Sequence, residues 1–149
     1  MVIKELKKEL CDLEPKDFIV QFISADYKMY SEQERNMDRI FHVRDQLYHH
    51  FPIENGYYYR RCLRTGHILN VVLKYFYWGK ATLHDLEYCL RNLRAYCEEH
   101  QLSSLIFTQS AFSDFYWLDA YALINDVFYG WYGEISILFQ RGDKENPAA

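Results

Sequence analysis

FIVQFISADYKMYSEQE, residues Phe18–Glu34, reads as a buried strand, a polar elbow and the start of a helix. Phe18, Ile19, Val20, Phe22 and Ile23 form an apolar run broken only by Gln21. A strand covered on both faces has that continuity, whereas a half-exposed strand alternates. Ser24-Ala25-Asp26 leaves the sheet, and Ser31-Glu32-Gln33-Glu34 has the capping-box spacing of a helix N-terminus. Ligands of α/β proteins collect where strands end and helices begin, so a site is expected here.

Working outward, Met1–Leu6 fits a short first strand, and Leu10–Lys16 a loop punctuated by Pro15. Ser31–Phe51 is expected as one long helix, with Met37, Ile40, Phe41, Leu47 and Tyr48 on its apolar face and Pro52 ending it. Tyr57–Leu63 and His67–Leu73 then read as a hairpin around Arg64-Thr65-Gly66. Tyr75-Phe76-Tyr77-Trp78-Gly79 follows, a stretch that suits either a stacking surface or a lid packed on its own core.

Thr82-Leu83-His84-Asp85 has capping-box spacing with Asp in place of Glu and opens a helix over Thr82–His100. A strand over Leu105–Thr108, a loop over Gln109–Tyr116, a helix over Trp117–Tyr129 and a strand over Ile135–Phe139 complete the order. Apolar strands alternating with amphipathic helices give an α/β domain with helices on both sheet faces. One domain over residues 1–140 and a polar tail over 141–149 are expected.

The chain has 149 residues, half of them hydrophobic, with 14 Tyr and 10 Phe, which suits a folded core rather than disorder. A net charge of −4 argues against a sequence-blind binder of phosphate backbones, which needs excess Lys and Arg. The absence of a long apolar run and the charged start MVIKELKKEL favour a cytoplasmic protein. Cys11, Cys62, Cys89 and Cys97 form no CxxC pair. Cys89 and Cys97 lie about 12 Å apart along a helix, too far to bridge. All four are expected as reduced, mostly buried thiols, with no metal site.

Several stretches together resemble the macrodomain family, in the branch that removes terminal ADP-ribose from proteins and nucleic acids. Ile23-Ser24-Ala25-Asp26-Tyr27-Lys28-Met29 is similar to that family's strand-to-loop segment, and Val71-Val72-Leu73-Lys74 to its L-I-T-K strand. Lys80–Leu86 is similar to its K-P-T-Y-x-x-L helix start, and Asp114–Trp117 lies near its G-L-D and following Trp. The resemblance implies a three-layer α/β/α fold with a mixed sheet. It also implies an ADP-ribose cleft touching Glu9, Ser24, Asp26, Tyr30, Ser110, Phe112 and Ser113, and no cofactor.

Three departures bear on function. Lys8-Glu9 stands where the family has G-D, Tyr30-Ser31-Glu32 replaces G-x-G, and Gln109–Ser113 replaces a second glycine loop. Side chains at such places block close approach of backbone N–H groups to phosphate. Tyr30 and Phe112 are therefore expected to fill the pyrophosphate space.

The resemblance then implies a diverged, non-catalytic module that binds a protein or an altered nucleotide, with a homodimer through Tyr57-Tyr58-Tyr59 also open. An alternative is an ADP-ribosyl glycohydrolase in which Lys74 attacks the ribose and Asp114 assists. A third reading is an unrelated α/β interaction or inhibitor protein.

Overall fold

The computed structural model describes residues 3–53 and 58–139. Six strands run β1 (Ile3–Leu6), β2 (Ile19–Ser24), β3 (Cys62–Thr65), β4 (Ile68–Lys74), β5 (Ser104–Thr108) and β6 (Glu134–Leu138). They form one sheet in the order β1-β6-β5-β2-β4-β3. Neighbours are parallel except for the antiparallel β3–β4 pair at one edge. The helices are α1 (Glu32–Phe41), α2 (Val43–His50), α3 (Leu83–Glu99) and α4 (Trp117–Val127).

The apolar runs bury both faces of the sheet, as expected for central parallel strands. Val20, Phe22, Val71 and Phe107 pack beneath α3 and α4, while Ile19, Ile23, Val72 and Ile106 pack beneath α1 and α2. The result is a three-layer α/β/α architecture with a mixed sheet.

Both capping boxes form. Ser31 accepts from the Glu34 backbone and Glu34 returns to Ser31, and Thr82 and Asp85 do the same. Asp85 serves a second element as well. Its Oδ1 takes Arg60 Nη2 at 2.8 Å and the Tyr59 hydroxyl at 3.2 Å. Burial pushes the Asp85 carboxyl up, but Thr82, Arg60 and Tyr59 outweigh it and hold the group down at about 2.

A depressed carboxyl stabilises the fold above its ordinary value of 3.8, and that contribution is lost as pH falls from there toward 2. Asp85→Asn is expected to cost about 1 kcal/mol at neutral pH and to flatten stability between pH 4 and 2, read by urea unfolding at each pH. Parallel wild-type and variant curves across that window would overturn the assignment.

Three local expectations are corrected. The single helix over Ser31–Phe51 is broken at His42, which takes a left-handed conformation at φ 53°. Asp38 compensates that break. Its carbonyl accepts the His42 N–H at 2.8 Å, and its carboxylate accepts the Arg44 N–H at 2.8 Å to start α2. The hairpin loop is the pair Gly66-His67 rather than Arg64-Thr65-Gly66, because Thr65 already pairs with Ile68. Gly66 sits at φ 62°, a conformation that glycine adopts without strain. The first hairpin strand starts at Cys62, after Arg60 turns to φ 65° and lies against the rings of Tyr59 and Tyr88.

Tyr57 and residues 140–149, with the expected domain end and tail, lie outside the described residues. Tyr58 and Tyr59 do not form an open edge: Tyr58 meets Phe51 edge-on and Tyr59 stacks on Tyr75 at 4.0 Å. Of the thiols, Cys89 and Cys97 are buried and burial pushes both up to about 12, while Cys62 is half-buried and Cys11 is exposed. Among the described residues no group of His, Cys, Asp and Glu could hold a metal ion, and no helix is long and apolar enough to cross a membrane.

Candidate functional site

A cleft of about 630 Å³ opens at the C-terminal ends of β2 and β4, beside the segment that follows β5. Its position follows from topology. Adjacent parallel strands end together there, and the capped start of α1 rises over the gap. A bulge contributes too. Ile23 pairs with Val72 but Ser24 with Lys74, so one extra residue on β4 re-aims the strand end at the cleft.

Lys74 lies on the floor with its side chain 20% exposed. Its Nζ stands 3.3 Å from Asp114 Oδ2 and 3.5 Å from the Tyr77 carbonyl. Asp114 comes from the loop after the short 3-10 turn Gln109–Phe112, so the pair is made by elements far apart in sequence. Tyr30, Tyr77 and Trp78 form an aromatic wall: Tyr30 and Tyr77 lie 5.4 Å apart, and Trp78 meets Tyr77 edge-on at 5.2 Å. Trp78 stays 66% exposed and stacks on Phe76, so this loop is a surface rather than a lid folded into the core.

Of the candidate residues, Ser24, Tyr30, Ser110, Ser113, Lys74 and Asp114 all line the cleft. Glu9, Asp26 and Phe112 do not. Glu9 is exposed at the cap of the first 3-10 turn, away from the cleft lining. Asp26 holds loops together. Its Oδ1 accepts from Ser24 Oγ at 2.5 Å and the Lys28 N–H at 3.1 Å, and its Oδ2 accepts the Tyr77 N–H at 3.1 Å.

Phe112 is 1% exposed and packs against Phe22, Phe107 and Trp117. The 3-10 turn directs its ring into the core under α4, and Phe112 is not among the residues that line the cleft. Tyr30 does border the cleft, 65% exposed at its rim.

Among the lining residues with no site role in the sequence are Gln21 and Glu34. Gln21 registers there only as an interruption of an apolar run, and Glu34 only as half of a capping box. Both also face the cleft. Burial raises the Glu34 carboxyl, its hydrogen bonds to Ser31 and the charge on Lys74 oppose that, and Asp114 adds to the rise; the balance lies above the ordinary value. Beyond Asp114 a shallower groove of about 500 Å³ continues past Phe115 and Tyr116 to Asp119.

The fold is that of the macrodomains. The macrodomain of Mycobacterium tuberculosis DarG superposes with a TM-score of 0.78 at 11% identity, over 95% of this chain and 99% of that one. The macrodomain of Thermus aquaticus DarG gives 0.72 at 15% identity, over 93% and 98%. Thermosipho africanus DarTG in complex with ADP-ribose gives 0.69 at 8% identity, over 89% of this chain and 40% of that one. No family model matches the chain. No curated protein matches it in sequence either.

Proposed function

We propose that this chain is a macrodomain-like module whose cleft takes a nucleotide of the ADP-ribose class in an altered pose. The observation that carries this reading is the open cleft of about 630 Å³ at the strand ends, with Lys74 at its floor. That volume suits a small-molecule ligand, and a concave site suits a nucleotide better than a protein surface. Lys74 and Lys80 supply positive charge for phosphate, and the Tyr30–Tyr77–Trp78 wall supplies ring faces for a base. The neighbour solved with ADP-ribose supports the choice of ligand class. The altered pose is supported by Tyr30, Ser31 and Glu32, which replace the G-x-G of the family that the sequence resembles, where side chains would hinder close backbone approach to a pyrophosphate.

Calorimetric titration with ADP-ribose tests this. Saturable binding is expected, with Lys74→Ala weakening it about tenfold through loss of a charged hydrogen bond. Absence of heat and of any thermal shift at millimolar ligand would overturn the nucleotide reading.

A second reading rests on the 3.3 Å approach of Lys74 to Asp114. In a glycohydrolase the unprotonated Lys74 amine would add to the anomeric carbon as the bond to the ADP-ribosylated group breaks, with Asp114 assisting proton transfer; water would then release the sugar. Turnover of an ADP-ribosylated substrate that Lys74→Ala removes would favour this reading. Undiminished turnover in that variant would exclude the mechanism.

A further inference from the structure

The loops that leave β2 and β4 meet beside the cleft, and one carboxylate spans them. The first loop is held in an unusual shape. Tyr27 takes a left-handed conformation at φ 55°, which is costly for a bulky side chain. Its ring is nevertheless fixed, 1% exposed, with the hydroxyl donating to the Phe51 carbonyl at 2.8 Å. The Ala25 N–H donates to the Lys74 carbonyl at 2.8 Å, which seats this loop on the end of β4. Asp26, between Ala25 and Tyr27, takes Ser24 Oγ and the Lys28 N–H on Oδ1 and reaches the Tyr77 N–H with Oδ2.

Tyr77 is the hub of the second loop. Its ring centroid lies 5.4 Å from that of Tyr30, 5.2 Å from that of Trp78 and 5.9 Å from Lys28 Nζ. Its N–H bond to Asp26 therefore fixes the backbone that carries the middle ring of the wall. Tyr30 comes from the same loop as Asp26, so both sides of the wall are referred to one side chain.

We infer that Asp26 is a positioning residue that makes the two loops one body, and that the hold of the cleft on a planar ring depends on it. A wall already assembled spares a ring-bearing ligand the entropy of ordering Tyr30, Tyr77 and Trp78. A ligand without a ring gains nothing from that assembly. The clamp itself needs no ligand; its effect on selectivity rests on the nucleotide reading.

Asp26→Asn tests this, because an amide has one acceptor atom where a carboxylate has two. Whichever way the amide turns, Nδ2 meets a backbone N–H, that of Lys28 or that of Tyr77, and one loop is released. Asp26→Ser keeps an oxygen for the Lys28 N–H, as serine does in such turns, and leaves none for Tyr77. In ¹H–¹⁵N NMR of the ligand-free protein, Asp26→Ser is expected to move the Tyr77 amide and Trp78 indole signals. The indole signals of the buried Trp117 and Trp131 should stay in place and report an intact fold.

Calorimetry then compares adenosine monophosphate with ribose 5-phosphate, which differ by the ring. Affinity for the first is expected to fall about tenfold in both variants, because the released rings must be ordered on binding, and affinity for the second to stay level. The inference is overturned if the Tyr77 and Trp78 signals of Asp26→Ser match the wild type, or if both ligands weaken alike. Failure of the wild type to bind either ligand would remove the nucleotide reading, and the ligand-free signals would still decide the clamp.

Discussion

Replacing Asn70 by Asp is expected to lower stability by about 3–5 kcal/mol, from the burial of an uncompensated charge. Asn70 is wholly buried on β4 and joins three strands through one amide. It donates to the Leu63 carbonyl and to Thr65 Oγ1, each at 2.9 Å, and accepts from Gln21 at 2.6 Å. The Thr65 hydroxyl can rotate to donate to a carboxylate, but the Leu63 carbonyl cannot and would face it lone pair to lone pair.

The new acid would be pushed to a raised pKa by desolvation, so stability should return as pH falls through that value. Urea unfolding of wild type and Asn70→Asp at pH 7 and pH 4.5 reads both effects. A loss under about 1 kcal/mol at pH 7 would mean that the seam is open to water.

Phe112→Ala carries the other large effect, about 3–5 kcal/mol, the usual cost of truncating a buried Phe. Its ring centroid lies 5.1 Å from Phe22, 5.7 Å from Phe107 and 5.8 Å from Trp117, so one ring ties β2, β5 and α4 together. Removing it leaves a cavity in the core beneath α4 and loosens the support of Ser110, Ser113 and Asp114. Affinity for ADP-ribose should therefore fall or stay level. A stable variant that bound more tightly would return Phe112 to the cleft. Chemical denaturation followed by calorimetry on the same sample separates these outcomes.

The layered fold was legible because its signals are local. Continuous apolar runs marked β2 and β4, and both capping boxes placed their helix starts within the sequence itself. The elbow after β2 could be named as the place for a cleft, and Lys74 and Asp114, which meet at 3.3 Å, as residues to look for beside it, from stretches similar to a known family. What escaped depends on contacts distant in sequence.

A left-handed residue at His42 is stabilised by Asp38 from the preceding turn, and nothing about histidine announces it. The direction of Phe112 is set by the 3-10 turn over Gln109–Phe112, which a stretch expected as a loop does not announce. Asp26 carries the right chemistry for a ligand, yet three donors from its own loops claim it. Gln21 gave the one signal that a closer reading would catch: a lone amide in a run otherwise apolar needs a partner, and Asn70 supplies only half of one.

The two ends of the sheet have a consequence for how these molecules meet one another. The outer strands, β1 and β3, are each four residues long. β1 exposes Lys4 and Glu5, and β3 exposes Arg64. Unpaired strand edges recruit further strands when they are long, flat and apolar; short edges bearing charge give an incoming strand few hydrogen bonds and a desolvation penalty. Chains crowded together, even with so many aromatic rings on their surfaces, are thereby deterred from zipping sheet to sheet into fibrils.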